Sequence, residues 1–275
     1  MILCPEVFAR NQKKIQSILN YHRGLLYAMK TSKKSFSNEL LLQIHRCVKN
    51  NGKRPGDIGH FRDRQNWIGP EGCPIEQGRF FPPRANLVPK AMKNLRDYLS
   101  YPEKDGLVQL AVYFAQLLII HPFMDGNGRV ARILVPLFLC KRQFISEPLF
   151  YLSGYFKKYY EAYFDHLFNI SSKSDWEGWI VFFLQSLIEE GKKNCHKAQL
   201  LSKLYKKTAK ELSQTLSLKV IHKALRFLFE NPIFEKRDFT ACCRLSAETQ
   251  QHLFKALKIR ERQGKMVCEA IFAAL

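Results

Sequence analysis

What most constrains the fold of this chain is a spacing. Up to about residue 215 its apolar residues return at three- and four-residue steps, and no long stretch alternates apolar with polar. Ile15, Ile18, Leu19, Leu25, Leu26 and Met29 predict an amphipathic helix over 10–30, and Leu40, Leu41, Ile44 and Val48 predict a second over 37–48. The same rule places helices at 89–99 and 107–120, with Leu110, Phe114, Leu117 and Leu118 turned to a core. Further helices follow at about 128–142 (around Pro136), 155–169, 175–190 and, in a basic stretch, 191–212. The class is therefore all-α, with one short hairpin expected near Arg79 to Leu87.

Two regions break this pattern. Residues 50–89 are rich in Gly and Pro, with Arg54-Pro55-Gly56, Gly69-Pro70, Gly72 and Pro82-Pro83. Long loops inside compact domains are often functional. Near Ser217 a second unit begins. Its helix-like 219–230 is stopped by Asn231-Pro232, and a short segment at 233–235 precedes another helix-like stretch, 236–244. Ser246 is then a candidate N-cap for a helix to Lys258, and 260–270 reads as a degraded hairpin. The order resembles a winged helix.

Charge and cysteine usage narrow the setting without choosing the chemistry. The 44 Lys and Arg against 24 Asp and Glu give a net charge of +20, which favours polyanionic partners such as nucleotides, nucleic acid or acidic membrane surfaces. The 8 cysteines include no Cys-x-x-Cys pair, so we expect reduced thiols in a cytoplasmic protein rather than a structural zinc site. Glu6 and Arg10 interrupt the apolar start before a signal-peptide core forms, and no run has the roughly 18 apolar residues of a membrane span. Delivery by a specialised injection system would escape that test.

The chemistry is concentrated in His121-Pro-Phe-Met-Asp-Gly-Asn-Gly-Arg129 and the helix that follows. Gly126 and Gly128 allow close approach to the main chain, and the helix start behind them presents free amides and a positive dipole end. Arg129 and Arg132, three apart, can both reach a polyphosphate. Asp125 offers the single carboxylate with which magnesium is commonly held beside nucleotide phosphates. Asn127 can donate its side-chain amide to a phosphoryl oxygen, and His121 has the chemistry to take a proton from a hydroxyl. Taken singly, each residue is an ordinary turn former, cap or surface charge. Together they supply base, metal ligand and phosphate cradle.

The run from His121 to Arg132 resembles the Fic-domain signature. The surroundings are similar too: Asn20-Tyr21, Arg62, Gln65-Asn66-Trp67-Ile68-Gly69, Val88-Pro89, Tyr151-Leu152-Ser153, Tyr155-Phe156 and Asp175-Trp176-Glu177. Over about 15–275 the chain looks like the large Fic proteins with a C-terminal winged helix. That resemblance implies an N-terminal helical segment (1–50), a Fic catalytic domain (51–215) with a β-hairpin flap, and a winged-helix-like domain (216–275). It implies a bacterial protein adenylyltransferase that moves AMP from ATP to a Ser, Thr or Tyr hydroxyl of a target protein. His121 would be the base, Asp125 the Mg²⁺ ligand, and Phe123 the anchor of the loop. Gly126, Asn127 and Gly128 would form the anion cradle, Arg129 and Arg132 would contact the β- and γ-phosphates, and Tyr155 and Tyr159 would wall the adenine. Phe80, Phe81, Arg84, Ala85, Asn86 and Leu87 would be a flap that aligns the target segment by strand addition.

AMP removal and self-modification fall within the same implied chemistry, and a second copy of the chain, as a homodimer, is among the expected partners. The alternative is a basic winged-helix regulator that senses nucleotide and binds DNA. Two departures matter. The inhibitory Ser/Thr-x-x-x-Glu helix of relatives is expected before Asn20-Tyr21, where no such motif stands, and Ser35 and Glu39 share only its spacing. Tyr159-Tyr160 also replace the Asn and Arg usual in relatives, which bears on nucleotide preference.

Overall fold

In the computed structural model, which describes residues 5–31, 36–49, 55–69, 74–214, 216–262 and 265–274, the chain divides into two compact units, 1–190 and 191–275. The first opens with α1 (Pro5–Lys30) and α2 (Asn38–Val48), the latter capped by the Ser37 hydroxyl, which accepts from the Leu40 amide at 3.2 Å. Of the apolar positions predicted for α1, Leu25 is buried, whereas Ile15, Ile18, Leu19 and Leu26 are exposed. The buried strip runs instead through Asn20, Gly24, Leu25 and Ala28. Small residues set this strip: a Cβ on Gly24 would lie 2.9 Å from Ile133 Cδ1, so the helix approaches its neighbour where it has least side chain.

Helices α3 (Val88–Tyr98), α4 (Gly106–Ile120) and α5 (Asn127–Lys141) follow. Asp105 caps α4, its carboxylate accepting from the Leu107 and Val108 amides. Apolar almost all round, α4 forms the centre of the core, where Phe114 packs against Phe156, Trp179 and Phe183. Pro136 lies inside α5 and is tolerated there, although it cannot donate to the carbonyl of Arg132.

The helix expected over 155–169 is interrupted at Tyr159, giving α6 (Ser153–Lys158) and α7 (Tyr160–Lys173). The two helices expected over 175–212 are one, α8 (Trp176–Leu212), because Gly191 alone costs too little to end a helix. Asp175 starts it by accepting from the Gly178 amide at 2.9 Å, and the fully buried Trp179 donates its indole N–H to the Ala111 carbonyl at 2.8 Å.

The expected hairpin near 79–87 is absent. Ile68 and Phe80 form a single antiparallel bridge, and Ala85–Leu87 is a turn of 3-10 helix. Pro82 and Pro83 explain this, since neither has an N–H to extend a ladder. Their carbonyls are taken by Gln65 Nε2 at 2.8 Å and by the Arg62 guanidinium. Arg54, Gly72 and Ser35, singled out in the sequence, lie outside the described residues.

In residues 191–275 the elements after α8 are α9 (Leu218–Glu230), β1 (Ile233–Phe234), α10 (Lys236–Cys243), α11 (Ala247–Ala256), β2 (Ile259–Arg262), β3 (Lys265–Cys268) and α12 (Glu269–Ala274). Ser246 caps α11 by accepting from the Thr249 amide. The stretch read as a degraded hairpin pairs regularly, with Ile259 opposite Cys268 and Arg262 opposite Lys265. β1 adds to its other edge in the order β1-β3-β2. The weak alternation is accounted for by exposure, since β2 buries only Ile259.

Candidate active site

Everything in the His121–Arg132 loop hangs between the C-terminus of α4 and the N-terminus of α5. Pro122 has no amide to continue α4, so the helix ends on His121, which takes a left-handed conformation (φ 48°, ψ 59°). That conformation is unfavourable for a residue with a Cβ and persists only where surroundings over-determine it. Two contacts do so. His121 Nδ1 lies 3.1 Å from the Leu118 carbonyl, and Arg62 Nε donates to the His121 carbonyl at 2.9 Å.

A carbonyl can only accept, so Nδ1 carries the proton and Nε2 is the free base of a neutral imidazole. Burial pushes the imidazole down to about 4; the Leu118 bond and the Asp125 charge oppose this and the Arg62 charge adds to it. His121 is therefore neutral across the physiological range.

Phe123 is completely buried, stacked on His45 with centroids 4.0 Å apart and planes at 8°. Its N–H donates to Asn127 Oδ1 at 2.9 Å, and its carbonyl accepts from Asn127 Nδ2 at 2.7 Å and from Asn66 Nδ2 at 3.0 Å. The Asn127 side chain, read from sequence as a phosphoryl donor, is thus turned inward and only 2% exposed. It closes the loop on itself. Asn127→Ala would leave the buried Phe123 N–H without an acceptor, and we expect a loss of about 2–3 kcal/mol in urea unfolding.

The Asp125 carboxylate is 64% exposed. One oxygen accepts from the Gly126 amide at 2.5 Å; the other meets Lys49 Nζ and lies 3.4 Å from the Arg129 guanidinium. Partial burial works to raise its pKa, but Lys49, Arg129 and the Gly126 amide outweigh this and hold it below the ordinary carboxylate range. The Asp125 carbonyl accepts from His45 Nε2 at 2.9 Å, while His45 Nδ1 accepts from the Gly59 amide at 2.9 Å.

Gly126 caps α5 at φ 90°, a conformation open to glycine. Its amide being spent on Asp125, the free donors of the cradle are those of the first turn of α5, Asn127 and Gly128, which no preceding carbonyl serves. Arg132 folds over Gly128, Nη1 lying 3.0 Å from where a Cβ would stand, and its buried Nε has no partner. His121, Gly128 and Arg132 face one cavity of about 620 Å³. Its other walls include Ile68, Phe80, Tyr160, Tyr163, Phe164 and Phe168.

Tyr155 and Tyr159 are not among those walls. Tyr155 is 3% exposed and packs on Phe182, and Tyr159 leans on Tyr155 at 4.6 Å with its hydroxyl toward Glu189. The break at Tyr159 turns the next residues, Tyr160, Tyr163 and Phe164, to the cavity in their place. In the flap region Phe80 lines the cavity while Phe81 and Leu87 are exposed; Arg84, Ala85 and Asn86 belong to the turn that opens α3. Sequence reasoning missed Lys49 and His45. A histidine at the buried-face position between Ile44 and Val48 was the available signal.

Comparison with known proteins matches residues 35–139 to the Fic/DOC family model. The protein adenylyltransferase fic-1 of Caenorhabditis elegans is 31% identical over 107 residues, covering 38% of this chain and 19% of that protein. The protein adenylyltransferase Fic of Nematostella vectensis is 28% identical over 135 residues, covering 46% of this chain and 29% of that protein. The chain thus spans less than a third of either relative. Among solved structures, a Fic family protein from Desulfovibrio desulfuricans is similar over 90% of this chain and 74% of its own, with a TM-score of 0.56 at 17% identity. At that identity the likeness speaks for the fold alone.

Proposed function

From the premise that residues 35–139 make this chain a Fic-domain protein, we propose that it is a protein adenylyltransferase whose base is His121. The observation that carries this reading is the neutral imidazole with Nδ1 already committed, facing the same cavity as Gly128 and Arg132. In the proposed reaction a target hydroxyl oxygen attacks the α-phosphorus of ATP, the bond to pyrophosphate breaks, and the hydroxyl proton passes to Nε2. Positioning and charge neutralisation suffice for such a transfer. The amides of Asn127 and Gly128 with Arg129 and Arg132 receive the polyphosphate, and Tyr160, Tyr163 and Phe164 receive the base.

Among the described residues no cluster of three acidic, His or Cys side chains could cage a metal unaided. A single exposed carboxylate, already drawing the Lys49 ammonium, suits an ion that takes its remaining ligands from phosphate and water. Asp125 would hold Mg²⁺, which supplies charge neutralisation on the phosphates. We assign target docking to the extended residues 79–81 beside Ile68, since 85–87 are coiled into a turn.

The test is incubation of the chain with cell lysate, Mg²⁺ and ATP labelled on the α-phosphate. Protein-bound label is expected, reduced about 10²-fold or more by Asp125→Asn through lost charge stabilisation. No label on any protein, the chain included, would remove the reading.

A further inference from the structure

The excess charge of this chain is not spread evenly. Residues 191–275 hold 18 Lys and Arg against 7 Asp and Glu, a net of +11. Much of it falls on the second half of α8. At 100° per residue, Lys192, His196, Gln199, Lys203, Lys206, Lys207 and Lys210 project within an arc of about 100°. All are exposed. Leu201, Leu204, Thr208 and Leu212, on the opposite side, pack into or lie buried at the core of this unit.

An ordinary solvated helix laces opposite charges at i,i+4, and this stripe does not. Lys203 has Lys206 and Lys207 as its neighbours, and Lys210 has the same two. Such like-charge pairs each work against the helix. Glu211 pairs with Lys207 at 4.0 Å, whereas Lys192, Lys203, Lys206 and Lys210 form no ion pair among the described residues. Around the sheet of this unit several cations are answered: Arg260 and Arg262 meet Glu269, while Arg237 and Lys265 meet Glu235. The helix dipole accounts for basic residues in the last turn of α8, but not for Lys192 to Lys203, several turns earlier.

We propose that this face of α8 is a binding surface for the phosphate backbone of duplex DNA. The cations run for about 27 Å along the helix, the length of about eight phosphates of one strand. The arc carries no Phe, Tyr or Trp, so it lacks the stacking platform of a single-strand binder. Nor does it carry a large apolar side chain to enter a membrane. With contacts to phosphate alone, the binding is independent of base sequence.

The experiment measures the full chain against a fluorescent 20-base-pair duplex of arbitrary sequence by anisotropy, across a salt series. Five lysines engaged give a log–log salt slope of about −4 to −5. Changing Lys192, Lys203, Lys206 and Lys210 together to glutamine should cut affinity at least about tenfold and flatten the slope by about 3 to 4. Glutamine keeps the helix propensity, and circular dichroism would verify the fold. Cys195, exposed beside the arc, should be protected from alkylation by the duplex. AMP transfer in the same variant is expected to be unchanged, so the two readings stand or fall separately. No binding at low salt, an undiminished slope in the variant, or preference for anionic lipid vesicles over the duplex would overturn the proposal.

Discussion

Replacing His121 by alanine is expected to cut AMP transfer by about 10²- to 10⁴-fold, the usual worth of a positioned general base. Alanine alone is ambiguous, because it also loses the Nδ1 contact that helps hold a left-handed residue. His121→Asn separates the two effects: asparagine tolerates the left-handed region but cannot accept the proton at neutral pH. Both variants should be inactive, and only the alanine variant should be measurably less stable. The pH profile carries a second signature. His121 works as a base when unprotonated, and its pKa in the folded chain is about 4. The acid limb of kcat/KM should therefore fall near 4 rather than 6.5. Stability falls in the same direction but begins to do so at higher pH. The unfolded imidazole takes up a proton first, near 6.5, so this group's contribution is full above that value and is lost as pH falls toward 4. Loss of activity centred at 6.5, with the fold intact, would exclude a buried neutral base.

The helical frame was legible because periodicity reports burial, and the loop was legible because its residues are consecutive. What escaped did so for identifiable reasons. Periodicity in α1 pointed to its large apolar residues, but packing selected Gly24 and Ala28, where the backbone can come closest. Tyr159 looked like part of one helix, yet the break there turned Tyr160 rather than Tyr159 to the cavity. Asn127 offered an amide to a ligand, and a backbone partner four residues earlier took it. Lys49 stands 76 positions from Asp125, and no local pattern links them. Residue type indicated which chemistry was present; which partner each group finds depends on folding that brings distant segments together.

Arg62 shows how far that dependence reaches. It is 4% exposed and has no carboxylate partner among the described residues; its guanidinium instead serves the carbonyls of His121 at 2.9 Å, Arg64 at 3.2 Å, Ile120 at 3.4 Å and Pro83. Burial lowers its pKa, yet an arginine remains charged. Two of those carbonyls close α4, whose C-terminal dipole favours a cation, and a third fixes the proline corner beside the cavity. The planar fork is what lets one side chain serve four acceptors. Arg62→Lys keeps the charge but offers three donors from one point, so at least one of the four carbonyls loses its partner. The expected cost is about 1–3 kcal/mol for each carbonyl left unserved, read in chemical denaturation. His121 would also lose the bond to its own carbonyl, and with it part of what holds the left-handed turn. We expect kcat to fall about 10- to 10²-fold while KM for ATP changes little, because Arg62 positions the base without lining the cavity. A lysine variant with unchanged stability and kcat would mean that the loop holds His121 in place without this clamp.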